Sequence, residues 1–184
     1  MSGKKPFVTL GITGGIAAYK AAELCSALVK RDFDVQVVMT ENATRFVTPL
    51  TFQTLSRRPV VTSLWDAYDW KPEHVAAAEV ADLFVVAPCS ANFLGKYAHG
   101  IADDALTTFA ISMRCPALLA PAMNPAMWAH PAVADNVRVL RERGVHFVGP
   151  DSGRVACGAD GVGRMAEPAA IADRIAELIG RTAR

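Results

Sequence analysis

The segment Pro121-Ala-Met-Asn-Pro-Ala-Met-Trp128 holds an asparagine one residue before a proline. A residue in that position is biased toward extended backbone, so Asn124 is either a rigid amide aimed at a ligand or the cap of its own turn. Met127 and Trp128 read as packing. A second stretch runs from Gly149 to Arg164 and places five glycines between 149 and 163. Such a run predicts a mobile loop, and mobile glycine loops often close over substrates. Cys157 stands in its middle. An ordinary thiol, with a pKa of about 8.5, is protonated at neutral pH and can serve as an acid; the other reading is an incidental loop thiol. Arg154 and Arg164 flank it, and a closing loop bearing arginines can reach a phosphate.

The third stretch is Thr13-Gly14-Gly15-Ile16. A glycine pair that opens a helix lets backbone N–H groups approach a phosphate, helped by the helix dipole. A tight strand-to-helix turn needs glycine equally. The spacing is not GxGxxG, which argues against a standard dinucleotide fingerprint. Thr40 also stands where such a site usually has an acid, although Glu41 is adjacent. Hydroxyls at Thr13, Thr40 and Ser90 suit a mononucleotide phosphate better, and flavin mononucleotide is one such group. His74 leads a helical pattern and is either a base or a residue of the helix start. His99, His130 and His146 read as structural or exposed, and no Ser/His/Asp order or carboxylate pair stands out.

These residues need elements to hold them. Short apolar runs at 7–12, 35–39, 60–63, 83–87, 117–120 and 146–148 predict strands. Helical patterns fill 17–31, 49–56, 74–81, 104–113, 131–143 and 168–179. Continuous apolar runs such as Leu83-Phe-Val-Val86 suit a parallel sheet covered on both faces. The alternation predicts an α/β fold: one Rossmann-like, doubly wound domain over residues 1–184, with a mostly parallel six-stranded sheet. Ligands of such folds bind beyond the carboxyl ends of the strands, where the stretches above fall.

With 184 residues, 52% apolar and 20% charged, the chain is globular rather than disordered. Nineteen basic against eighteen acidic side chains give no footprint for nucleic acid or an anionic membrane. The apolar excess predicts a further buried face, hence a homo-oligomer. Cys25, Cys89, Cys115 and Cys157 show neither CxxC nor metal-ligand spacing, so no metal site is expected. Lys4-Lys5 before an apolar run imitates a signal peptide, but Gly11, Gly14 and Gly15 interrupt the run. A cytoplasmic protein is expected.

Together the motifs resemble the homo-oligomeric flavin-containing cysteine decarboxylases. The resemblance runs from Gly11-Ile-Thr-Gly-Gly-Ile-Ala-Ala-Tyr-Lys20 to Gly161-Val-Gly-Arg-Met-Ala-Glu-Pro168. Between them stand Thr48-Pro-Leu-Thr-Phe-Gln53, His74, Ala98-His-Gly-Ile-Ala-Asp-Asp104, the Pro-x-Met-Asn-x-x-Met-Trp signature and Ala156-Cys-Gly158. It implies FMN bound where the subunits of a trimer meet, the trimers sometimes assembling into a dodecamer. It also implies oxidative decarboxylation of 4′-phosphopantothenoylcysteine to 4′-phosphopantetheine in coenzyme A biosynthesis, through thioaldehyde and enethiol intermediates. A phosphopantothenoylcysteine synthetase, fused or separate, is then a partner.

Carried over by motif, His74 is the active-site histidine, Asn124 contacts the substrate carboxylate and Cys157 donates a proton. Thr13, Gly14, Gly15, Ile16, Thr40, Ser90, Ala91 and Asn92 fall on FMN-binding segments, with Thr107 and Met123 as further candidates. Cys89 departs from the family pattern, where alanine or threonine is usual, and is expected near the flavin. The alternatives are a non-catalytic regulatory flavoprotein and a relative acting on another cysteine-containing substrate.

Overall fold

A computed structural model describes residues 5–65, 73–154, 158 and 160–182. The apolar run FVTLGI forms strand β1 (Phe7–Ile12), every residue of it buried. Helix α1 (Ala18–Lys30) follows the glycine turn and leads into β2 (Asp34–Met39). Next come the short α2 (Glu41–Thr44), α3 (Pro49–Ser56) and α4 (Glu73–Val80). Strand β3 (Leu83–Cys89) leads into α5 (Ala91–His99) and α6 (Ala105–Ser112), and β4 (Ala117–Pro121) into α7 (Pro125–Trp128) and α8 (Pro131–Glu142). The chain closes with β5 (His146–Phe147), the pair β6 (Asp151–Arg154) and β7 (Asp160–Arg164), and α9 (Pro168–Thr182).

The main sheet is parallel, five-stranded and ordered β2-β1-β3-β4-β5. Side chains alternate across it, as period-two geometry requires. Val8, Leu10 and Ile12 join Leu24, Leu28, Phe52, Ile171 and Ile175 in a core beneath α1, α3 and α9. Phe84, Val86 and Leu119 face Phe93, Leu106, Phe109 and Val137 in a second core beneath α5, α6 and α8. Burial on both faces explains why the strands read as unbroken apolar runs.

Two expectations are corrected. The sixth strand at 60–63 shrinks to a single bridge, Val38 to Val61, held by Met39 N–H to Val61 O at 2.8 Å and Val61 N–H to Val37 O at 3.0 Å. Pro59 and the turn after α3 leave only this short edge contact. The glycine run at 149–163 is largely an antiparallel ribbon, β6 on β7, rather than an open loop. Its glycines permit close packing, as shown below. Helix α5 was not expected, although its signals were present: Ser90 caps its start and Gly100 ends it at φ 69°. Among the described residues no helix is long and apolar enough to cross a membrane.

One polar atom sits badly in this frame. Thr9 Oγ1 is fully buried and has no hydrogen-bond partner among the described residues. Valine is nearly the same size and carries no hydroxyl to desolvate. Thr9→Val should therefore raise stability by about 1 kcal/mol in chemical denaturation, and a variant less stable than the parent would contradict the assignment.

Candidate functional site

Strand β1 has β2 on one side and β3 on the other, so the chain leaves it in opposite directions and opens a crevice at the carboxyl ends. A cleft of about 740 Å³ lies there, within the range of small-molecule sites. The turn after β1 supplies Thr13, Gly14, Gly15 and Ile16, and α1 adds Tyr19 and Lys20. Pro88, Ser90 and Ala91 come from the end of β3, and Ala122, Met123, Asn124 and Met127 from the segment after β4. The ribbon and its exit contribute Arg154, Gly163, Arg164 and Met165.

Thr13 holds the crevice together. Its hydroxyl donates to Pro88 O at 2.8 Å and accepts from Ser90 N–H at 3.0 Å, tying β1 to the end of β3. Gly14 permits the next contact, since a Cβ there would lie 2.5 Å from Asn42 Cβ. Gly15 differs: a Cβ there meets nothing within 4 Å, so this backbone faces open cleft. No side chain caps the start of α1, which leaves that helix end to accept an anion.

The polar residues at the other strand ends are helix caps. Thr40 accepts from Ala43 N–H at 3.2 Å at the start of α2, and Ser90 from Phe93 N–H at 3.3 Å at the start of α5. Asn124 Oδ1 accepts from Ala126 N–H at 2.8 Å at the start of α7. The two readings of Asn124 are therefore compatible, because the cap fixes the amide in place and the residue lines the cleft.

The ribbon is pinned against this segment. Met123 N–H donates to Gly163 O at 2.9 Å, and a Cβ at Gly163 would collide with Met123 O. A Cβ at Gly161 would come within 2.9 Å of Pro125 Cβ. These glycines serve close approach rather than mobility.

Of the residues singled out from sequence, Thr13, Gly14, Gly15, Ile16, Ser90, Ala91, Met123 and Asn124 line one cleft. Thr40 and the exposed Asn92 lie outside its lining. Thr107 is 1% exposed, and its hydroxyl donates to Asp104 Oδ1 at 2.7 Å inside the capping box of α6. His74 falls on α4, but its side chain lies outside the described residues, as does Cys157. Cys89 does not reach the cleft: it packs in the second core, where burial pushes its thiol well above the ordinary range. Burial also raises the Cys25 and Cys115 thiols to about 11, so these three are unreactive near neutrality.

Tyr19 and Lys20 were missed in the sequence, although both end the glycine-turn motif. One turn into α1 puts them over the crevice. Lys20 Nζ lies 3.1 Å from both carboxylate oxygens of Glu167, and Arg164 Nη2 lies 3.5 Å from Glu167 Oε1.

The flavoprotein family profile matches residues 1–180. The chain belongs to the flavoprotein family. This flavoprotein is 49% identical over 162 residues to the coenzyme A biosynthesis bifunctional protein CoaBC of Bacillus subtilis, covering 88% of this chain and 40% of that protein. It thus spans about two fifths of the curated relatives it matches. A mutant PPC decarboxylase complexed with pantothenoylaminoethenethiol superposes with a TM-score of 0.84 at 32% identity, over 95% of this chain and 98% of that one. The FMN-dependent cysteine decarboxylase SpaF gives 0.84 at 31% identity, over 97% and 98%.

The Thr13 tie is testable. Thr13→Val removes the acceptor for Ser90 N–H and should cost about 1–3 kcal/mol. Denaturant midpoints would measure it, and an unchanged midpoint would show that the tie contributes nothing.

Proposed function

We propose that this chain catalyses FMN-dependent decarboxylation of 4′-phosphopantothenoylcysteine to 4′-phosphopantetheine, a carboxy-lyase step of coenzyme A biosynthesis. The observation that carries the reading is the rigid Asn124 beside a cleft whose opposite wall suits a flavin phosphate. The names of the bifunctional relatives and of the superposed decarboxylases support it.

The residues present fit FMN. The open face of Gly15 and the uncapped start of α1 suit its phosphate, while Ile16, Ala122, Met123 and Met165 offer apolar contact to a ring system. When bound, FMN supplies a two-electron oxidant for the substrate's cysteine side chain and returns those electrons after carbon dioxide has left. A carboxylate beside an amide nitrogen has nowhere to leave its electrons. Once the side chain is a thioaldehyde, the carboxylate stands β to C=S and the electrons pass to sulfur, giving the enethiolate.

The chain's own residues then have distinct tasks. Asn124 orients the carboxylate through a neutral amide and avoids the strong ground-state attraction that an arginine would exert against loss of that charge. Its capping bond to Ala126 N–H keeps the amide from swinging. His74 takes the thiol proton at the start, as a positioned base. Cys157 returns a proton to carbon at the end; Cys25, Cys89 and Cys115 do not line the cleft and serve packing instead. A homo-oligomer, trimer or dodecamer, would cover Ile16, Tyr19 and Met127, which are 58%, 60% and 48% exposed at the cleft. A synthetase, fused or separate, would supply the substrate in the cytoplasm.

Incubating the flavin-loaded protein with 4′-phosphopantothenoylcysteine should give a product lighter by one carbon dioxide, with the flavin oxidised at the end. Cys157→Ser should still release carbon dioxide but accumulate the enethiol. Normal product at the parental rate from that variant would remove Cys157 from the proposal. Unchanged substrate over bound FMN would favour a regulatory flavoprotein or another cysteine substrate.

A further inference from the structure

The cations of the cleft fall into two groups. Arg154 and Arg164 belong to the ribbon, whose register sets Asp160 opposite Arg154 and Asp151 opposite Arg164. Lys20 is, among the described residues, the only charged lining residue outside the ribbon. Its place is unfavourable for a cation. Lys20 is the third residue of α1, and the first turn of that helix holds no acid and no side-chain cap. A helix start carries partial positive charge, so a lysine there is repelled. Glu167 offsets this from another element: Lys20 Nζ lies 3.1 Å from both of its carboxylate oxygens. Glu167 has its own reason to stand there, since its carbonyl accepts from Ile171 N–H at 3.1 Å in the first turn of α9, where an acid is favoured.

Direction narrows what this charge can serve. A helical side chain leans back over the turn before it, so Lys20 overlies Ile16 and Ala17, four and three residues earlier. Both line the same cleft, next to the open backbone of Gly15. The lysine side chain is only 17% exposed, so the wall and Glu167 hold its stem in place. An ammonium has three N–H donors. The two oxygens of Glu167 engage two of them, which leaves one for a ligand in the cleft.

We propose that Lys20 is a further cofactor-binding residue, giving its third N–H and its charge to the FMN phosphate at the start of α1, with Glu167 as its positioning residue and counter-charge. The two side chains then act on the phosphate with opposite signs. Loss of the Lys20 charge weakens the hold on the anion. Loss of the Glu167 charge strengthens it, because a glutamine carbonyl still accepts from Nζ and no longer repels the phosphate. A pair that only braced α1 against α9 would give the same sign for both. The assignment rests on the fit of FMN to the cleft and not on the decarboxylase reading, so its test avoids turnover. Riboflavin is FMN without the phosphate. Equilibrating the full chain with mixtures of the two flavins, and measuring which stays bound, gives their affinity ratio and isolates that group.

The parent should prefer FMN. Lys20→Gln should cut that preference about tenfold, and Lys20→Arg should keep it to within about threefold. Glu167→Gln should raise it about threefold at low salt. Should Lys20→Gln fail to fold, the direction of the Glu167→Gln change decides alone. Equal affinities in the parent, an unchanged ratio in Lys20→Gln, or a ratio that stays or falls in Glu167→Gln would overturn the inference. So would a Lys20→Gln variant that keeps the flavin ratio and instead loses a preference for 4′-phosphopantothenate over pantothenate, since the lysine would then serve the substrate. A parent that reads the flavin phosphate through Lys20 yet leaves 4′-phosphopantothenoylcysteine unchanged would uphold the Lys20 assignment and overturn the decarboxylase reading.

Discussion

The hydroxyl of Thr13 bonded to both Pro88 O and Ser90 N–H is the constraint on which the site depends. In a parallel sheet all carboxyl ends lie along one edge, and the last backbone groups there have no further strand to pair with. Where β1 and β3 send the chain in different directions, Pro88 O keeps only the long backbone bond from Thr13 N–H at 3.3 Å, and Ser90 N–H has no strand to pair with. One buried hydroxyl, donor and acceptor at once, satisfies two of them and fixes the separation of the strand ends. The crevice width, the start of α5 and the approach of Gly14 to α2 all follow from that spacing.

The same economy recurs around the cleft. Thr40, Ser90 and Asn124 each accept a backbone N–H from the helix they precede. A cap immobilises the side chain that makes it, so these polar groups are already oriented before any ligand arrives. A strand end that must start a helix and a strand end that must present a polar group call for the same residue types. In this fold the two demands coincide at one position.

That coincidence explains what was legible in the sequence. The long apolar runs at 7–12 and 83–87 and the α1 pattern placed the sheet centre correctly, because their periodicity reports burial directly. The strand ends were legible as a place, and Thr13 through Ile16, Ser90, Met123 and Asn124 do meet there. Composition misled in the glycine run, where glycine signals contact with Met123 and Pro125 on a distant segment rather than freedom. Lys20 escaped notice because its position over the crevice depends on where α1 begins, which a helical pattern fixes only to within a turn. Cys89 was expected beside the flavin from its place in the family's loop, but neighbouring residues alternate faces at the strand end, and its side chain takes the core face while Pro88 and Ser90 line the cleft.

The ribbon β6–β7 belongs to neither core cluster, apart from the residues that follow it into α9. The cleft is therefore built from two kinds of wall. One is welded into the sheet and cannot change without disturbing the packing beneath it. The other is an appended two-stranded ribbon, attached through the Met123–Gly163 backbone contact. Substitutions at the ribbon's cleft-facing arginines, Arg154 and Arg164, leave the sheet's hydrophobic layers untouched. Lineages sharing this scaffold can thus diversify the compounds they accept by revising the ribbon, while inheriting the cofactor-facing wall intact.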